Sequence, residues 1–157
     1  MRYWLMKTEP SAFSIDDLER MGREHWDGIR NYQSRNHMRD DMKVGDRVLI
    51  YHSSTDIPAV VGTARVVREA YPDDTSWDPD SKYFDPKSSP DNPRWVMVDV
   101  AFESRFAQPL PLARLRELPA LQGMLLLKKG MRLSIQPVTE QEFRTVLSHA
   151  GQAAQVQ

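Results

Sequence analysis

A chain of 157 residues, 40% hydrophobic and 27% charged, is long enough for one domain that buries roughly 70% of its unfolded surface, and too short for two ordinary ones. Its formal net charge of -1 argues against a protein whose main task is gripping phosphate backbones, and its lack of cysteine excludes disulfides, thiolate chemistry and cysteine-held metal. No apolar run approaches the length of about 20 residues that crosses a bilayer, and Met1–Lys7 lacks the apolar stretch of a signal peptide, so a soluble, cytoplasmic or nuclear chain with no membrane contact is expected.

In chain order, Arg2-Tyr3-Trp4-Leu5-Met6 is rich in β-formers and reads as a buried first strand ending before Glu9-Pro10. Ser14 is placed to cap a short helix with Asp16 and Asp17 in its first turn, Phe13 set to staple onto Leu18, and Gly22 to end it. Asn31 or Ser34 starts the next helix, which carries Met38 and Met42 and stops at the turn signal Lys43-Val44-Gly45-Asp46. A strand follows from Arg47 to His52. Ala59 to Ala70 reads as one long strand, with Gly62 and Ala64 marking a bend or bulge that curls the sheet.

Pro72 to Pro93 is a Pro-, Asp- and Ser-rich connection whose Trp77, Tyr83 and Phe84 suggest that parts of it pack down. Trp95 to Phe106 shows strand alternation, and Leu112 to Leu118 a short amphipathic helix stopped by Pro119. Leu133 to Val138 is a closing strand, after which Thr139 and Glu142 form a capping box for a last helix running to about Ser148, with Val138 and Phe143 as staple. The organisation is therefore one domain, 1–149, followed by a polar tail, 150–157, expected to be disordered. The fold class is α+β, a curled mixed sheet approaching a small barrel with short helices at its periphery.

The chemistry concentrates in Trp26-Asp27-Gly28-Ile29-Arg30-Asn31-Tyr32 and in Tyr51-His52-Ser53. Rings, amides and hydroxyls there suit a pocket that stacks and hydrogen-bonds a planar heteroaromatic ligand. The same rings serve equally well as core, because Trp and Tyr bury large areas and find a hydrogen-bond partner there. Charge is unevenly spread, with Arg30, Arg35 and Arg39 in one group, Lys128, Lys129 and Arg132 in another, and Asp73, Asp74, Asp78, Asp80, Asp85 and Asp91 crowding one segment.

Six blocks in order make the chain resemble the EVE domain family: Tyr3-Trp4-Leu5-Met6-Lys7-Thr8-Glu9-Pro10, Trp26 to Tyr32, Val44-Gly45-Asp46, Tyr51-His52-Ser53, Ala70-Tyr71-Pro72-Asp73 and Arg132 to Val138. Thr8 stands where many relatives have Ser and keeps the hydroxyl. The resemblance implies a PUA-like pseudo-barrel, similar in architecture to YTH and ASCH domains, with a pocket for a modified base in DNA or RNA. Carried onto this sequence, it implies pocket positions at Lys7, Trp26, Asn31, Tyr32, Tyr51, His52, Ser53, Trp95 and Ser134. In that pocket Trp26 and a second ring would stack on the base, each contact worth about 1–3 kcal/mol. Asn31, Ser53 and backbone groups near Glu9 would read its edge. Lys7, Arg30, Arg35, Lys128, Lys129 and Arg132 are the candidates for phosphate contact, and for each a surface ion pair is the alternative. Enclosing a base requires it to be unpaired or flipped, at a cost of a few kcal/mol in duplex DNA.

No G-x-S-x-G elbow, P-loop, G-x-G-x-x-G or H-E-x-x-H occurs, and His25, His37 and His149 lack metal-ligand spacing, so neither cofactor nor metal is expected. The enzymatic alternative is acid-base cleavage of RNA by Lys7 and His52, as the resemblance to ASCH domains allows; a reader of a small heteroaromatic metabolite is the third reading. A monomeric binding module is the leading one, with protein partners allowed for because nothing in the sequence looks like an effector.

Overall fold

The computed structural model describes residues 1–150. Six strands form one sheet in the order β2-β5-β4-β3-β1-β6: β1 (Tyr3–Thr8), β2 (Arg23–Trp26), β3 (Arg47–His52), β4 (Ala59–Pro72), β5 (Val96–Pro111) and β6 (Ile135–Val138). Only β1 and β3 run parallel, paired from Tyr3 opposite Arg47 to Thr8 opposite His52; the other pairs are antiparallel. The four α-helices are α1 (Ile15–Met21), α2 (Tyr32–Asn36), α3 (Leu112–Leu115) and α4 (Glu140–His149), and none is long and apolar enough to cross a membrane.

Strands β1 and β3 carry apolar residues at successive positions because both faces of the sheet are covered. Trp4, Met6, Val48 and Ile50 enter one core with Leu18, Trp26 and Met38, while Leu5, Leu49 and Tyr51 enter the other with Phe106, Leu110, Phe143 and Leu147. The polar group that Trp4 brings into its core is satisfied, since its indole N–H donates to buried Asp46, which also accepts from the backbone N–H of Arg2 and Lys43. That network accounts for the Val44-Gly45-Asp46 block as architecture.

Curling comes from the two long strands. Register shifts interrupt β4 and β5 between Val60 and Gly62, Thr63 and Ala64, Val66 and Arg68, and Arg68 and Tyr71. Each added residue bends its strand and raises the local twist. At Gly62 a side chain is excluded outright, because a Cβ would lie 2.4 Å from the Ser104 carbonyl oxygen. The sheet does not close into a barrel: β2 and β6 remain its two margins.

Caps follow the sequence. Ser14 and Asp17 form a reciprocal capping box on α1, Gly22 ends it at φ 81°, and Thr139 with Glu142 does the same for α4. Asn31 caps α2, which passes after Asn36 into a π-helical turn, His37–Asp41, rather than continuing to Met42 as a regular helix. The edge strand β2 was not expected from the sequence, since Arg23-Glu24-His25 is polar and its pairing partner lies far away in β5. Strand β5 runs on to Pro111, beyond the expected end at Phe106. Of the expected tail, Ala150 is buried beneath the end of α4; positions 151–157 lie outside the described residues.

Candidate functional site

The parallel pairing of β1 and β3 brings their C-terminal ends out on the same side, and β6, antiparallel to β1, begins there. Lys7 donates its backbone N–H to the Ser134 carbonyl at 2.9 Å, and Ser53 donates its own to the Thr8 carbonyl at 3.0 Å. These two bonds carry the sheet ladder past its last regular residues and form one side of a cavity of about 740 Å³. Ser54, in the left-handed region at φ 54°, turns the chain away immediately after Ser53.

The facing wall comes from the end of β2 and the loop after it, with Trp26, Asp27, Gly28 and Ile29 lining the cavity. Trp26 is 7% exposed and meets Phe13 edge-on, ring centroids 5.9 Å apart at 86°. Gly28 has φ 79°, and the Tyr83 ring sits against it so closely that a Cβ would lie 2.6 Å from the ring's Cζ. Only glycine satisfies both conditions. Tyr83 thereby becomes a second aromatic wall, and its neighbour Lys82 and Arg132 also line the cavity.

Tyr83 belongs to the long connection 73–95, which is fastened rather than floating. Buried Asp73 accepts from the Gly28 N–H at 2.9 Å, from Arg30 at 3.1 Å and from the Thr75 N–H at 3.0 Å. Arg30 also donates to the carbonyls of Tyr83 and Ile29 and to the Thr75 hydroxyl, and its guanidinium lies 5.6 Å from the Tyr83 ring centre. Farther along, the Trp95 indole donates to Asp85 at 2.7 Å, and Trp95 stacks on Tyr32 with centroids 4.7 Å apart. Arg35 covers the Tyr32 ring at 4.6 Å.

Electrostatically the cavity is mixed. Burial pushes the Lys7 ammonium below its ordinary range. Burial, and then the neighbouring Asp73, push the Asp27 carboxyl above its ordinary range. Glu24 accepts from the backbone N–H of His25 and also lies 2.9 Å from the imidazole Nδ1.

Of the residues expected in a pocket, Lys7, Trp26, Ser53 and Ser134 line this cavity, and so does Arg132 from the phosphate candidates. The others lie elsewhere. Asn31 uses its side-chain oxygen to cap α2 through the Ser34 N–H. Tyr51 is buried in the core on the other face of the sheet and does not line the cavity. His52 accepts the N–H of Ile15 on Nε2 at 3.1 Å, capping α1, and burial pushes its pKa down. Lys7 and His52 therefore do not face one another across the cavity. Tyr32 and Trp95 form the stacked pair behind Arg30, whose own donors are committed to the clamp. Arg35 donates to Asn36 and to the Arg94 carbonyl, while Lys128 and Lys129 are exposed on the segment leading to Arg132.

Sequence reasoning assigns no individual pocket role to Phe13, Asp27, Gly28, Asp73 or Tyr83. The Asp-Gly pair at 27–28 was a turn signal, and an aspartate ending the Ala70–Asp73 block was a sign of a buried cap; nothing in sequence joined them to Tyr83.

The family model of the EVE domain matches residues 2–149. Human thymocyte nuclear protein 1 is 41% identical over 165 residues, covering 93% of this chain and 72% of that protein. A crystal structure of human THYN1 in complex with DNA containing 5-methylcytosine superposes with a TM-score of 0.90 at 40% identity, covering 96% of this chain and 98% of that one. A hypothetical protein from Leishmania major gives 0.92 at 46% identity, covering 98% and 97%. ASCH from Zymomonas mobilis, at 12% identity and 0.56 over 94% of each chain, shares the fold alone. Fold, order of blocks and near-complete coverage agree, and the chain belongs to the EVE domain family.

Proposed function

We propose that this chain is a non-catalytic reader of a modified base in DNA or RNA, and that the base enters the cavity between the ends of β1 and β3 and the Trp26–Ile29 wall. The observation that carries this reading is the convergence of Lys7, Trp26, Ser53, Ser134 and Arg132 on one cavity. The similarity to a protein solved with DNA containing 5-methylcytosine adds to it. The volume lies within the range of ligand clefts, roughly 300–1,000 Å³, and suffices for a flipped nucleoside. Trp26 and Tyr83 supply aromatic surface, hydroxyls and backbone groups near Thr8 and Ser53 supply edge contacts, and Lys82 and Arg132 meet the backbone at the rim, with the exposed Lys128 and Lys129 as further phosphate contacts. Asn31, Tyr32, Trp95, Arg30 and His52 act one step back, holding the walls. With so few rim cations the affinity is modest; the reading further takes the protein as a cytoplasmic monomer whose protein partners give the recognition its consequence.

The test is binding of labelled single-stranded DNA and RNA, plain or carrying 5-methylcytosine, 5-hydroxymethylcytosine or N6-methyladenine, to the native protein and Trp26→Ala at two salt concentrations. Binding that depends on the modification and on Trp26 is the expected result. Equal weak binding of every strand, unchanged by Trp26→Ala, would overturn the reading, and progressive loss of intact RNA would replace it with a nuclease.

A further inference from the structure

We propose that Asp27 is the residue by which this cavity tells a methylated cytosine from thymine, by accepting a hydrogen bond from the exocyclic 4-amino group. The proposal rests on the base-reader function above and deepens it. Thymine and 5-methylcytosine carry the same methyl group at C5 and the same carbonyl at C2, so an apolar niche for the methyl cannot separate them. They differ at C4, where cytosine presents an N–H donor and thymine a carbonyl acceptor, and at N3. A reader of the methylated base in DNA, where thymine is everywhere, needs an acceptor at that position.

Three carboxylates line the cavity: Glu9, Glu24 and Asp27. Glu9 is exposed, and Glu24 is engaged by the backbone and imidazole of His25. Asp27 differs from both. Its side chain is 29% exposed, its nearest cationic partner is His25 Nε2 at 3.5 Å, beyond good hydrogen-bond reach, and among the described residues no side chain donates a hydrogen bond to it. Its place is fixed from both sides, by the buried Trp26 before it and by Gly28, whose N–H is held by Asp73, after it.

A half-buried carboxylate without a side-chain donor gains most from a ligand that brings one. The upward displacement of its pKa by burial and by Asp73 is the same deficiency seen from the proton's side. The cytosine amino group supplies the missing donor, whereas the O4 of thymine would set two acceptors against each other. Adjacent Trp26 and the Tyr83 ring on Gly28 bound the plane in which the base would lie.

The experiment measures competition binding of single-stranded DNA bearing one 5-methylcytosine, cytosine or thymine at a fixed position, to the native protein, Asp27→Asn and Trp26→Ala, with thermal melts of each. The native protein is expected to prefer 5-methylcytosine over thymine by roughly tenfold or more. In Asp27→Asn, whose amide offers a donor or an acceptor by rotation, that preference is expected to fall to within about twofold at an unchanged melting temperature. A native protein that holds both strands equally, or an Asp27→Asn variant that keeps the full preference, overturns the assignment. The two levels separate cleanly: loss of binding in Trp26→Ala with the preference intact in Asp27→Asn removes only the role of Asp27, whereas indifference to Trp26→Ala removes the cavity as the site.

Discussion

Replacing Asp73 with Ala removes the acceptor that ties the 73–95 connection to the turn at Gly28. Its carboxylate is fully buried and its partner Arg30 is 23% exposed, so the substitution strands a largely desolvated guanidinium and orphans the Gly28 N–H. Breaking a buried pair from one side costs about 3–5 kcal/mol. Arg30 keeps its bonds to the Tyr83 and Ile29 carbonyls, which places the loss at the lower end, about 3 kcal/mol. For a chain of this length that is a fall in melting temperature of roughly 6–12 °C. Urea unfolding followed by tryptophan fluorescence measures it directly, and the slope should stay constant if the native fold is kept. Asp73→Asn retains an acceptor for Gly28 and should lose only about 1–2 kcal/mol. A loss below about 1 kcal/mol in Asp73→Ala, or an Arg30→Met substitution costing as much in that background as in the native one, would refute the clamp as described.

Gly28→Ala should cost about 1–2 kcal/mol from its left-handed backbone alone and drive Tyr83 off the wall, so binding should fall more than stability does; a melt and an anisotropy titration on the same sample compare the two. His52 accepts the Ile15 N–H only as neutral imidazole, and burial holds its folded pKa below the unfolded value of about 6.5. The unfolded chain therefore takes up the proton first, so this contribution is complete above about pH 6.5 and is lost as the pH falls through the folded pKa. The stability difference between the native protein and His52→Gln should shrink between pH 8 and pH 5, and a difference that grows on acidification would contradict the capping role.

How far the sequence carries is decided by the range of the interactions. Ser14 with Asp17, Thr139 with Glu142, and Gly62 at a bend were all legible, because each is local or excluded by backbone contact. The polar edge strand β2 was hidden, since it exists only by pairing with β5 seventy-odd residues later. The site divides the same way. Lys7, Ser53 and Ser134 meet because three strand ends coincide. Tyr51 and Asn31 carry the residue types of a base pocket, yet strand phase turns one into the core and helix geometry makes the other a cap. Asp73 and Tyr83 looked like pieces of an acidic loop, because their partners at 28 and 30 are over forty residues away.

The open sheet has a mechanical consequence. Strand β2 is one margin, and β1 is four places away, about 19 Å across a flat sheet at ordinary strand spacing. Trp26 and Lys7 nevertheless line the same cavity, so the cavity is the gap left where a curled sheet stops short of meeting itself. An occupant touching both walls would close that gap as a staple closes a seam, resisting the uncurling by which β2 would peel away. Ligand binding should then also raise the resistance to local opening at the sheet's margin, since an occupant that binds only the curled form stabilises it.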